Sequence, residues 1–209
     1  VDFLVSYMNS ICDAKKLSTE EILKGKMLVA DWALAEVRIN PAPKPWPPPT
    51  TDSVALSVDG SFSVDSGAAA VGMILRRHDG SVIFAAYRYI FNCNDALEVE
   101  IHALMQGMAL AIQHSNCPVI VQSDSSVALS SLTGDGLIRS AYGHLVAEIK
   151  ALMRDREFIP QKLNRDQNRV ADRLANYSCV ECTTAVWMHL GPPCIEDLLP
   201  LDCNSIKFK

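Results

Sequence analysis

Between Asn40 and Thr50 the chain reads NPAPKPWPPPT, with Pro41, Pro43, Pro45, Pro47, Pro48 and Pro49 in close succession. Each proline fixes its own φ and has no N–H to give to a helix or a ladder. Neither a helix nor a central strand can run through such a segment, so an extended, polyproline-like linker is expected over residues 40–51. It divides the 209 residues into a short lead and a long remainder. In the lead, Ser18 followed by Glu21 has the spacing of a capping box. Ile22, Leu23, Met27, Val29 and Ala30 then recur at roughly helical steps, so residues 1–39 read as helical.

The remainder changes period several times. Val54, Leu56 and Val58 alternate with polar or small residues, the pattern of a strand with one buried face. Ala68–Arg77 and Ser81–Ile90 read as two further strands, joined through the turn His78-Asp79-Gly80. A long helix follows over 95–114, with Leu97, Ile101, Leu104, Met108 and Ala111 on one face. VIVQSD, residues 119–124, is a short buried strand. Residues 125–132 and about 140–154 read as helices, and 157–165 as a strand that Pro160 confines to an edge or a bulge. Residues 168–178 form an amphipathic helix, and 179–209 have little periodicity. Three sequential strands imply an antiparallel meander, and the later alternation implies parallel additions. The fold class is therefore α/β: a five-stranded mixed sheet, its first three strands antiparallel, flanked by helices.

Bulk composition narrows the functions. The chain is 49% hydrophobic and 21% charged, enough for one sizeable core. It holds no apolar run long enough to span a membrane, so no membrane partner is expected. The net charge of −5 excludes nucleic-acid binding by bulk charge alone. Seven scattered cysteines read as reduced thiols of an intracellular protein, nuclear or cytoplasmic and not secreted. Cys179 and Cys182 with Cys194 and Cys203 lack the tight second pair of a zinc ribbon, so packing is expected rather than metal. No signal peptide is visible. The chain starts at Val1, which leaves open a parent polyprotein.

Acids stand where core residues are expected. Asp59 ends the first strand and Asp124 the fourth, while Glu100 lies in the long helix and Asp172 in the last one. Adjacent parallel strands ending in carboxylates put both acids at one edge of the sheet, and a packed helix can add a third. Such a cluster repels itself and persists only if it is neutralised. Divalent cations with oxygen ligands do that. Glu98 lies about 200° around the helix from Glu100, so only one of the two can face the sheet.

The motifs are VDGSF at the first strand, E-x-x-A-L from Glu100 to Leu104, V-x-S-D-S from Val121 to Ser125, and R-x-x-N-x-x-A-D-x-L-A from Arg165 to Ala175. In this order and spacing the chain resembles the ribonuclease H family. It looks closest to the plant ribonuclease-H-like domains that end non-LTR retrotransposon reverse transcriptases, where a W-x-P-P lead like Trp46-Pro47-Pro48 often precedes the first strand. The resemblance covers about residues 45–178, makes 52–178 a ribonuclease-H-like domain and 179–209 a C-terminal extension, and favours Glu100 over Glu98. It implies hydrolysis of the RNA strand of an RNA/DNA hybrid by a two-metal mechanism. Asp59, Glu100, Asp124 and Asp172 would be catalytic metal ligands for two Mg²⁺, with Mn²⁺ as a substitute. Gly60, Ser61, Ser125, Arg165 and Asn168 would face substrate, Asn168 alternatively capping the last helix or supporting the ligands from behind.

Two departures from the family pattern bear on activity. Many relatives carry a mobile His just before the last helix, whereas Leu163–Gln167 has none, leaving Arg165 to contact phosphate or take the His role. The basic handle helix of the relatives is not visible either. The competing expectation is an idle module of the same fold that binds nucleic acid or a protein partner. A monomer is expected. His78, His102, His114, His144 and His189 read as surface or packing residues.

Overall fold

The computed structural model describes residues 44–134 and 136–202; the helical lead read over 1–39 lies outside them. Strand β1 (Val54–Phe62), β2 (Ala69–Arg76) and β3 (Val82–Ile90) form the antiparallel meander. Helix α1 (Ala96–His114) crosses to β4 (Val119–Ser123), which lies parallel to β1. Helices α2 (Ser126–Thr133) and α3 (Gly143–Asp155) lead to β5 (Phe158–Lys162), parallel to β4 and at the sheet edge that Pro160 requires. A 3₁₀ turn (Arg165–Gln167) enters α4 (Arg169–Glu181).

The described sheet has six strands, not five, in the order β5-β4-β1-β2-β3-β6. The sixth, β6 (Ala185–Met188), pairs antiparallel with β3 and belongs to the region that sequence leaves irregular. Cys182 ends α4 in the left-handed region, at φ 51°, and turns the chain back toward the sheet. Four residues are too few to show a period, and here the pairing with β3 sets the structure. A 3₁₀ turn (Pro193–Ile195) and the short helix α5 (Leu199–Asp202) complete the described chain. Among the described residues no helix is long and apolar enough to cross a membrane.

The alternation in β1 sorts the two faces. Val54, Leu56 and Val58 enter the larger core with Met73, Leu75, Phe84, Ile101, Leu104 and Met108, beneath α1. Ala55, Ser57 and Asp59 point to the opposite face, where α4 packs its Val170 and Leu174 with Ile74, Ala85 and Tyr87. Gly72 sets how close α4 comes. A Cβ built there would stand 2.2 Å from the carbonyl oxygen of Ala171 and 2.5 Å from the amide of Ala175. Gly72 is also the register partner of Asp59 in β1, so the helix that crosses Gly72 brings its first turn over Asp59.

The proline-rich segment over residues 44–50 carries neither helix nor strand. It is packed on the domain, with Trp46 only 1% exposed and clustered with Ala55 and Leu163. Cys93, Cys117, Cys179, Cys182 and Cys194 are free thiols.

Candidate metal centre

Three of the four sequence-predicted acids meet. One carboxylate oxygen from each of Asp59, Glu100 and Asp124 lies within 4.8 Å of the other two, close enough to share a metal ion. Asp59 comes from β1, Glu100 from the first turns of α1, and Asp124 from the residue after β4. Asp59 does not end β1, which runs three residues further to Phe62 along β2, but the parallel register of β1 with β4, Ser57 opposite Gln122, puts Asp59 and Asp124 on one edge. Gly60 admits α1 to that edge, since a Cβ there would meet Val99 Cγ1 at 2.9 Å and the amide of Glu100 at 3.1 Å. Asp172 lies in the first turn of α4, and its charge acts on Asp59.

Glu98 is turned away, as the helical angle demands. Its carboxylate accepts from the amide of Asn94 at 2.6 Å and the side chain of Asn94 at 2.8 Å, at the start of α1. Asp95 caps the helix by accepting from the amide of Glu98 at 2.9 Å.

The electrostatics are those of a site built for a cation. Burial, followed by repulsion from Glu100, Asp124 and Asp172, pushes Asp59 up to about 9, against a favourable hydrogen bond from Asn168. Burial and the charge of Asp124 push Glu100 up to about 7, opposed by a backbone hydrogen bond from Gly60 and the charge of Arg165. Glu100 Oε2 is buried with no hydrogen-bond partner among the described residues. An orphaned buried oxygen beside two further carboxylates is the donor set of a hard divalent cation, so the residues present fit such an ion.

The remaining sequence-predicted residues divide. Arg165 stands beside Asp124, Nε to Oδ2 3.3 Å, with 94% of its side chain exposed. Ser61 donates to Asn176 Oδ1 at 2.9 Å, and Asn176 in turn donates to Asp172 Oδ1 at 3.0 Å. Ser125 is the N-cap of α2, accepting from the amide of Ala128 at 3.2 Å. Asn168 occupies the N-cap position of α4, but its side chain makes no cap. It is 1% exposed and donates to the Val58 carbonyl at 2.9 Å and to Asp59 Oδ1 at 3.1 Å. Asn168 therefore neither faces solvent nor caps with its side chain; it holds Asp59 from beneath.

Sequence reasoning missed Lys162, whose Nζ donates to the Asp124 carbonyl at 3.0 Å. Its register partner in β4 is Ser123, so the parallel pairing of β4 and β5 was the signal available. Two clefts flank the acids. One of about 560 Å³ is lined by Leu97, Glu100, Asp124, Lys162 and Arg165 among others. The second, about 380 Å³, includes Asp59, Asp124, Asp166, Asn168 and Asp172. Among the histidines, His114 packs its ring against Phe84, and burial pushes His102 down.

The family model described as reverse transcriptase-like matches residues 57–178. The chain belongs to that family. Its fold is that of ribonuclease H. Similar solved structures include ribonuclease H1 from the halophilic archaeon Halobacterium salinarum, at 22% identity and TM-score 0.57, covering 63% of this chain and 99% of that one. The N-terminal ribonuclease H domain of a Mycobacterium tuberculosis protein, solved as a fusion with maltose-binding protein, matches at 22% identity and TM-score 0.57, over 62% and 94%. LC11-RNase H1 in complex with an RNA/DNA hybrid matches at 18% identity and TM-score 0.52, over 62% and 98%. Among curated proteins, none matches the chain.

Proposed function

We propose that the chain is a metal-dependent endonuclease that hydrolyses the RNA strand of RNA/DNA hybrids. The observation that carries this reading is the convergence of Asp59, Glu100 and Asp124 from three separate elements, with an orphaned carboxylate oxygen among them. Membership of the family and the shared fold support it.

In this reading Asp59, Glu100 and Asp124 hold divalent cations, Mg²⁺ or Mn²⁺, and Asp172 serves as the fourth carboxylate. Two bound ions would activate a water and stabilise the leaving 3′-oxygen. The protein's own work is placement. Asn168 fixes the orientation of Asp59, and Gly60 fixes Glu100 through its backbone. Arg165, exposed beside Asp124, is free to meet a substrate phosphate and takes the place of the absent His. Lys162 adds a second cation on the same side. Selectivity for RNA rests on 2′-OH contacts from the segment after Gly60 and the start of α1.

The test is cleavage of a labelled RNA/DNA hybrid with Mg²⁺ or Mn²⁺, beside single-stranded RNA and duplex RNA. The expected result is hybrid-specific cutting by the wild type and none by Asp124→Asn, with folding retained. Cutting retained in that variant refutes the site. A folded wild type that binds metal and hybrid without cutting supports the idle module instead.

A further inference from the structure

We propose that the proline-rich strap and Asp202, which flank the domain in sequence, form a clasp that positions the corner between the 3₁₀ turn and α4, and through it Asn168, Arg165 and Asp172. The metal-binding consequence rests on the proposed function; the clasp itself does not.

The strap reaches this corner by two routes. The Pro45 carbonyl accepts from Gln167 Nε2 at 3.0 Å. Gln167 also closes the turn, its Oε1 accepting from the amide of Asn164 at 3.2 Å. One residue along the strap, Trp46 packs on Leu163, which leads into the turn and is 2% exposed. Trp46 is itself fixed, donating Nε1–H to Gln122 Oε1 at 2.7 Å. That same oxygen accepts from Ser57 at 2.9 Å, and Gln122 Nε2 donates to the Pro47 carbonyl at 3.0 Å. The strap is thus tied into the middle of the sheet.

Asp202 reaches the corner from the C-terminal side of the domain. Its Oδ1 accepts from Arg169 Nη2 at 3.3 Å, on the first residue of α4. Its Oδ2 accepts from Arg76 Nη1 at 3.2 Å. Arg76 is fully buried at the end of β2, and its guanidinium carbon lies 3.6 Å from the centre of the Trp46 ring. One buried cation therefore couples the strap to the C-terminal helix. The pairs grip Gln167 and Arg169, the neighbours on either side of Asn168, which holds Asp59. An orienting partner of this kind is typically worth tenfold or more in metal affinity when removed.

The experiment uses the full chain with Gln167→Ala, Asp202→Asn, Arg169→Ala and Arg169→Lys. Amide hydrogen exchange is measured at Gln167, Asn168 and Asp172, whose N–H groups bond Asn164, Arg165 and Asn168. Mn²⁺ titrations are run on the same samples. Gln167→Ala and Asp202→Asn are expected to speed exchange at the corner, leave the β1 amides unchanged, and raise the Mn²⁺ midpoint about tenfold. Arg169→Lys is expected to recover part of what Arg169→Ala loses. Unchanged corner exchange in Gln167→Ala and Asp202→Asn overturns the clasp. Faster exchange with an unchanged Mn²⁺ midpoint overturns its role in positioning the site. A wild type that binds no Mn²⁺ overturns the proposed function, and the exchange data still decide the clasp.

Discussion

Replacing Asp59 by Asn is expected to stabilise the metal-free protein while destroying its metal site. Asp59 is 7% exposed, and its surroundings push it from 3.8 to about 9. Below pH 3.8 the acid is protonated in both folded and unfolded chains, so it contributes no pH dependence. As pH rises from there toward 9, the unfolded chain releases the proton and the folded chain keeps it. Wild-type stability therefore falls across that window. At pH 7 about three units of it have been crossed, a loss of about 4 kcal/mol. The Asn variant has no proton to lose, and its amide oxygen can still accept from Asn168. Stabilisation of about 4 kcal/mol corresponds to about 10 °C in Tm for a domain this size. The assay is thermal unfolding in EDTA from pH 4 to pH 8. The variant is expected to match the wild type near pH 4 and to exceed it increasingly toward pH 8. Added Mg²⁺ is expected to stabilise the wild type far more than the variant. A variant equal to or weaker than the wild type at pH 8 in EDTA refutes the reasoning.

Other substitutions test the frame around the site. Gly72→Ala puts a Cβ 2.2 Å from the backbone of α4, so a loss of about 3 kcal/mol is expected in urea unfolding, with weaker metal binding as α4 is pushed from Asp59. Arg76→Met takes from buried Asp202 one of its two cations among the described residues, leaving Arg169, and a loss of about 3 kcal/mol is expected by the same method. Ser125→Ala removes the cap of α2 and is expected to cost about 1 kcal/mol while sparing cleavage, because the side chain is engaged by the amide of Ala128.

The acids were legible because each stands in or beside an element whose period is clear, although β1 runs on past Asp59 to Phe62. Alternation carried β1 as far as Asp59, and helical spacing with the E-x-x-A-L motif separated Glu100 from Glu98. Convergence was not legible from period alone: it depends on the parallel register of β1 with β4 and on Gly72 letting α4 close over Asp59. The cap preferred for Asn168 failed for the same reason, and the supporting role left open beside it is the one observed. Its position before a helix marks a cap, yet the nearness of Asp59 draws its side chain elsewhere. β6 escaped because its four residues take their conformation from pairing with β3. Trp46 and Asp202 escaped because contacts across the whole domain decide their burial, and a proline-rich composition says only that no helix or central strand forms there.

The most direct test of the central claim is calorimetric titration of the wild type with Mg²⁺ or Mn²⁺ at pH 7 in buffers of different ionisation enthalpy. If Asp59 near 9 and Glu100 near 7 must ionise to bind the cation, binding releases about one to two protons per site, and the apparent heat varies with the buffer accordingly. Absence of binding, or binding that releases no proton, would contradict the account.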